Sequence, residues 1–175
     1  ARQAGGTRDQ DSHRGPAQAT GVHAGTALPA PSATVPLADR QAVIFSVNDM
    51  HAAIDNFPKL AWITDSLRNI YPDVLLIAAG DNQTGNPIND QYPEKGFPVI
   101  DLMNTVRFSL SAVGNHEFDT GPEGFANLVS KANFSFICAN VSGGGQHAVK
   151  ISPYKIITLP NGLKVAFLGL LQLGQ

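Results

Sequence analysis

Beyond about residue 40 the chain alternates short, apolar, β-branched runs with stretches in which large apolar residues recur at helical spacing. "AVIFSVND" (42–49) predicts a first strand that ends in two polar residues. A helix is expected from about Phe57 to Ile70, where Leu60, Ile63, Leu67 and Ile70 fall at helical spacing, Pro58 suits the first turn and "YPD" stops the run. "DVLLIAAG" (73–80) is almost wholly apolar, as a strand covered on both faces of a parallel sheet would be. A second helix is expected from about Gly96 to Val106, a third strand over Ser109–Gly114, a third helix from about Pro122 to Ala132, and a fourth strand over "FSFICANV" (134–141).

Strands separated by helices of this length form βαβ units, so the fold class is α/β with a mostly parallel sheet. After the glycines at 143–145 the rhythm changes. "YKIITL" and "LKVAFLGLL", separated by "PNG", read as an antiparallel hairpin. Residues 1–40 differ from the rest: they are rich in Ala, Gly, Pro, Ser and Thr, lack aromatic residues, and read as a disordered or linker-like segment, with His13 and His23 solvated. The expected organisation is therefore a linker over 1–40 and one folded unit over 41–175. The first residue, Ala1, is consistent with a processed secreted protein or with an excerpt of a longer chain.

Composition narrows the function classes. With 175 residues, 43% hydrophobic, 15% charged and a formal charge of −2, nothing favours nucleic acid as a partner. No apolar run approaches the roughly 20 residues of a membrane span. Cys138 is the single cysteine, which excludes an internal disulfide or a Cys-rich metal site and reads as a small buried hydrophobe. Trp62 and the phenylalanines are expected in the core. His147 lies in a glycine-rich loop with no ligand-spaced partner. Asn82, Asn133 and Asn140 begin Asn-x-Ser/Thr sequons, but a glycan at Asn82 would obstruct its neighbour Asp81, and no glycosylation is inferred.

The candidate chemistry lies just past the first three strands, whose carboxyl ends meet in one crevice in an open α/β sheet. The first end carries "NDMH", the second "GDN", the third "GNHE". Asp49 and His51 are two residues apart and would share one side if the strand conformation persists. Asp81 offers two carboxylate oxygens and Asn115 an amide oxygen, a mixed donor set that suits Zn, Mn or Fe. Singly, each has a plainer reading: Asp49, Asp81 and Asn115 as turn formers, His51 as a loop histidine, Asp119 as the N-cap of the following helix. Three successive strand ends so loaded argue for a shared site.

"SVNDMH", "AAGDNQTGNP" and "AVGNHEFDTG", in this order and at these separations, resemble the amino-terminal metallophosphatase domain of the 5′-nucleotidase family within the calcineurin-like phosphoesterases. The resemblance covers about residues 42–173. It implies a metallophosphoesterase-type α/β sandwich, present in part, holding two divalent metal ions (Zn, Mn, Fe or Co). Asp49 and His51 would bind the first metal, Asp81 would bridge, and Asn115 would bind the second. His116, paired with Asp119, would be catalytic and face the phosphoryl group; Phe118 would pack inward, and Glu117 has no assigned role. The implied substrate is a small phosphoester, typically a nucleotide, hydrolysed by metal-activated water. The family's later histidine ligands and carboxy-terminal substrate domain would follow Gln175 and supply the remaining ligands and the pocket. Alternatives are a catalytically incompetent, metal-binding interaction module, or the same fold acting on cyclic nucleotides, nucleotide sugars or a sulfur ester. Periplasmic or extracellular placement is the implied location.

Overall fold

The computed structural model describes residues 40–141, 149 and 151–172. The linker expected over 1–40, the glycines at 143–145 and His147 lie outside the described residues, Arg40 excepted. A four-stranded parallel sheet runs in the order β1 (Val43–Val47), β2 (Val74–Ala78), β3 (Leu110–Ala112), β4 (Ser135–Ile137). Helices α1 (Phe57–Ile70), α3 (Phe97–Val106) and α4 (Gly121–Lys131) connect successive strands, with a short α2 (Pro87–Asp90) in the second connection. Each long helix has proline in its first turn, where the missing N–H costs nothing. Before α3, Gly96 takes a left-handed φ of 84° that few other residues adopt. The α1 helix gives way to extended backbone at Tyr71, the residue before Pro72.

Residues of one strand alternate between the two faces of the sheet. Phe45, Leu76, Ala78 and Phe136 share a face and form one apolar cluster with Val99, Ile100, Met103, Phe125 and Leu128 from the helices. Leu75, Leu110 and Ile137, of opposite parity, are buried on the other face. As expected, then, β2 has buried side chains on both faces, although Val74 and Ile77 are only half-buried. The hairpin appears as predicted: β5 (Tyr154–Thr158) pairs antiparallel with β6 (Lys164–Leu168), and Gly162 turns the chain at φ 81°.

Two expectations fail in α1. Trp62 is not core but 73% exposed, and Ile63 and Ile70 also face outward. The inner seam of the helix instead follows Phe57 and Thr64, with Leu60 and Ala61 half-buried beside them. Thr64 fits there because its hydroxyl donates to the Leu60 carbonyl at 2.7 Å, so no polar atom is stranded. The first strand is also shorter than expected, ending at Val47 rather than continuing to Asp49.

Candidate active site

The loops that follow β1 and β2 are bound to one another by backbone hydrogen bonds that prolong the parallel ladder past the strands. Asp49 N donates to Gly80 O (3.2 Å), His51 N to Asp81 O (3.0 Å) and Ala52 N to Asn82 O (2.9 Å). Keeping this pairing while turning requires unusual backbone. Asp49, His51, Ala52, Asp81 and Thr84 all hold positive φ, between 45° and 64°. Such conformations cost roughly 1 kcal/mol or more for each residue other than glycine and concentrate at functional sites. The period-two argument for Asp49 and His51 therefore does not apply, since neither residue is in strand geometry. Glycines permit the close approach between the second and third ends: a Cβ on Gly80 would stand 2.8 Å from Gly114 N, and one on Gly114 would collide with the Asp81 carboxylate.

Side chains converge on this junction. The His51 ring meets the His116 ring edge to face, with centroids 4.6 Å apart. His51 Nδ1 lies 3.2 Å from Thr84 O. A carbonyl only accepts, so this contact puts the proton on Nδ1 and leaves a lone pair on Nε2. His116 is held differently, its Nδ1 2.8 Å from Asp119 Oδ2. That hydrogen bond raises the His116 imidazole above its ordinary value; burial opposes it, and the negative charges of Asp119, Asp81 and Glu117 add to the rise. Burial pushes the Asp119 carboxyl up, but hydrogen bonds from His116 and Thr84 and the two nearby imidazoles outweigh this, and it ends below the usual range.

Asp81 Oδ1 accepts the His116 backbone N–H at 3.0 Å, which leaves Oδ2 unengaged by that bond. Asp49 Oδ2 accepts from the Asn48 amide at 2.6 Å and is exposed. Asn115 begins a short 3-10 turn (His116–Phe118), but its side chain makes no capping bond. Nor does Asp119 cap α4: the N-cap position belongs to Thr120. Phe118 packs against Phe125, with ring centroids 4.9 Å apart.

The residue that sequence reasoning left without a role is Glu117. It is 1% exposed, and its carboxylate accepts from Asp81 N (3.0 Å), Gly114 N (2.6 Å), Asn82 N (2.8 Å) and Asn82 Nδ2 (3.0 Å). Burial pushes its carboxyl up, while these four donors work against the rise. Asn82 is fully buried and also donates to Ser111 Oγ at 2.9 Å, so the folded chain offers no side chain there for a glycan. Cys138 is buried as expected.

The donor set suits a divalent cation in kind: carboxylates, an imidazole whose orientation is fixed by a backbone carbonyl, and an amide oxygen free of capping duty. Among the described residues no three His, Cys, Asp or Glu side chains are grouped so that they could hold a metal ion by themselves, so a cation here would also draw on the Asn115 amide or on groups outside these residues. None of their helices is long and apolar enough to cross a membrane.

The parallel sheet and its loaded strand ends are consistent with the metallophosphoesterase fold, and superposition on a solved nucleotidase bears this out. The calcineurin-like phosphoesterase pattern matches residues 42–173, and the chain belongs to that family. Over 106 residues the chain is 40% identical to the 5′-nucleotidase of Bos taurus, covering 58% of this chain and 18% of that protein. It is 39% identical over 108 residues to the snake venom 5′-nucleotidase of Crotalus adamanteus, covering 59% and 18%. The NAD nucleotidase of Haemophilus influenzae superposes with a TM-score of 0.66 at 28% identity, over 74% of this chain and 29% of that one. The chain thus spans about a fifth of the length of these curated relatives.

Proposed function

We propose that the chain carries part of the active site of a metal-dependent phosphoester hydrolase of the 5′-nucleotidase type, with nucleotides as its substrate class. The observation that carries this reading is the pairing of His116 with Asp119 beside His51 and Asp81 at converging strand ends. Asp49 and His51 would hold one divalent ion, Asp81 would lie between two, and Asn115 would hold the second; Zn, Mn, Fe and Co all suit these donors. Bound there, the ions would supply Lewis acidity toward a phosphoryl oxygen and lower the pKa of a water nucleophile.

His116 has the complementary task. With Nδ1–H given to Asp119, its ring is held in one orientation and its protonated form is favoured, so Nε2 can donate to a phosphoryl or leaving-group oxygen. His51 stays out of that role because its proton sits on the side facing Thr84. A phosphatase-active form of the protein dialysed against a chelator should lose turnover and regain it with Mn, Zn or Co. Full activity after complete metal removal would refute the reading.

A second reading is favoured by the number of donors: residues 1–175 alone would act as a weak metal-binding module, with further ligands and the substrate pocket supplied from outside this stretch. Robust phosphatase turnover by residues 1–175 in isolation would count against it. We read residues 41–175 as the folding unit and 1–40 as its linker, which limited proteolysis would separate. Placement in the periplasm or outside the cell accompanies this reading and is checked by fractionation.

A further inference from the structure

Glu117 lies behind the candidate metal donors without facing the crevice, and none of the steps above uses it. Its carboxylate joins two turns that are 32 to 36 positions apart in sequence. Oε2 accepts from both Asp81 N and Gly114 N, while Oε1 accepts from both the backbone and the side chain of Asn82. Every partner is a donor, so the site needs a group that only accepts, on both of its oxygens. An ionised carboxylate is the one side-chain group that meets that condition. The clamp acts directly on the residues flanking the proposed ligands. Asp81 is held at φ 52° by its own N–H on Glu117, and its Oδ1 receives the N–H of His116, the residue after Asn115.

We propose that Glu117 is the positioning residue of this site: by accepting from both turns at once, it fixes the separation of Asp81 and Asn115 and so sets the affinity for divalent metal. The inference rests on the metal reading given above. It assigns Glu117 no contact with metal or substrate. Its effect passes through Asp81, whose backbone would be free to leave the left-handed region once its N–H lost an acceptor. Asn82 is the second member of the device, because its side chain orients the clamp from Ser111 and is itself fully buried.

The sharpest variant is Glu117→Gln, which preserves shape but places an NH2 against at least two N–H donors in either amide orientation. Titration of the 175-residue chain with Co2+, followed by visible absorption, should show binding weakened tenfold or more in Glu117→Gln while its circular dichroism remains that of the parent. In parallel, the amide resonances of Asp81, Asn82 and Gly114 should be displaced downfield in the parent, as carboxylate-bonded N–H groups are, and should lose that displacement in the variant. A folded Glu117→Gln with Co2+ affinity within twofold of the parent would overturn the proposal. If the parent itself takes up no Co2+, the metal reading fails first. The amide resonances then decide separately whether Glu117 holds the two turns, and unmoved Asp81 and Gly114 signals would refute it. Should Glu117→Gln not fold, Asn82→Ala removes one donor and leaves the three backbone ones. It should weaken Co2+ binding more modestly, and an unchanged affinity there would reduce Glu117 to a purely structural residue.

Discussion

The imidazoles of His51 and His116 touch edge to face, their planes inclined by 70°, yet each ring is tied by Nδ1 to a different kind of acceptor. His51 turns to the neutral carbonyl of Thr84 and His116 to the carboxylate of Asp119. The first arrangement leaves a lone pair on Nε2, the second favours an imidazolium. Two histidines in contact are thereby committed to opposite chemistry. Replacing them should separate two readouts. His51→Ala should lower bound metal measured by elemental analysis, whereas His116→Ala should leave metal content near that of the parent and lower turnover by roughly 10²- to 10⁴-fold, the range for a lost general acid. Metal loss in His116→Ala would make that residue a ligand instead.

In the proposed reading Asp119 would act on substrate only through His116. Asp119→Asn keeps an acceptor oxygen within reach of Nδ1 but removes the negative charge, so the imidazolium should be less favoured and turnover should fall on the order of tenfold to a hundredfold, as for other residues that orient a functional group. Both partners are about one-third exposed. Solvent screens such a pair, and its removal should change stability by less than about 1 kcal/mol. Denaturant unfolding of the variant checks the second expectation, and a loss well above that bound would mean the pair holds the fold rather than the chemistry.

The junction itself predicts an effect of a single methyl group. Gly114 packs so tightly on the Asp81 turn that an added Cβ would lie 2.5 Å from Asp81 N. Gly114→Ala must therefore push apart the two turns that Glu117 draws together. Overpacking of this kind costs about 1–3 kcal/mol. The expected result is a folded protein with a lowered melting temperature and weakened metal uptake. Gly121→Ala serves as a comparison, because its Cβ would meet nothing within 4 Å although its φ of 74° is strained. It should lower stability without weakening metal uptake.

What the sequence made legible was the part governed by local pattern. Apolar runs and helical spacing located four parallel strands, the three long helices and the hairpin, and the polar residues after the strands marked the crevice. What escaped it depends on distant partners. Glu117 follows a histidine in a polar turn, and its position alone assigns it no role. Its role comes from N–H groups of Asp81 and Asn82 that only the sheet brings near, and no spacing along the chain encodes that. Asp49 and His51 were expected to share a strand face, but the ladder of backbone bonds to Gly80 and Asp81 continues in left-handed geometry, which residue type alone does not reveal. In α1 several apolar residues competed for the inner face. The seam was decided by Phe57 and by a threonine able to satisfy its own hydroxyl, so Ile63 and Trp62 were left outside.

Trp62 turns that misreading into a measurement, because it is the only tryptophan in the chain. At 73% exposure its indole is largely hydrated in the folded state. Its fluorescence should therefore resemble that of a solvated indole and shift little on unfolding, so that intrinsic emission reports poorly on a transition that far-ultraviolet circular dichroism follows clearly. The energetic counterpart is a pair of truncations. Leu76 is fully buried in β2, between β1 and β3 and against the helical face. Leu76→Ala removes buried methyl groups and leaves a cavity, at a cost of about 2–5 kcal/mol. Trp62→Ala removes a larger side chain from a site that buries little of it, and alanine is the better helix former, so the change should stay within about 0.5 kcal/mol. Urea unfolding followed by circular dichroism compares the two directly. A Trp62→Ala loss as large as that of Leu76→Ala would show that the indole is covered in solution, and the outer face of α1 would then have to be read as an interface rather than as solvated surface.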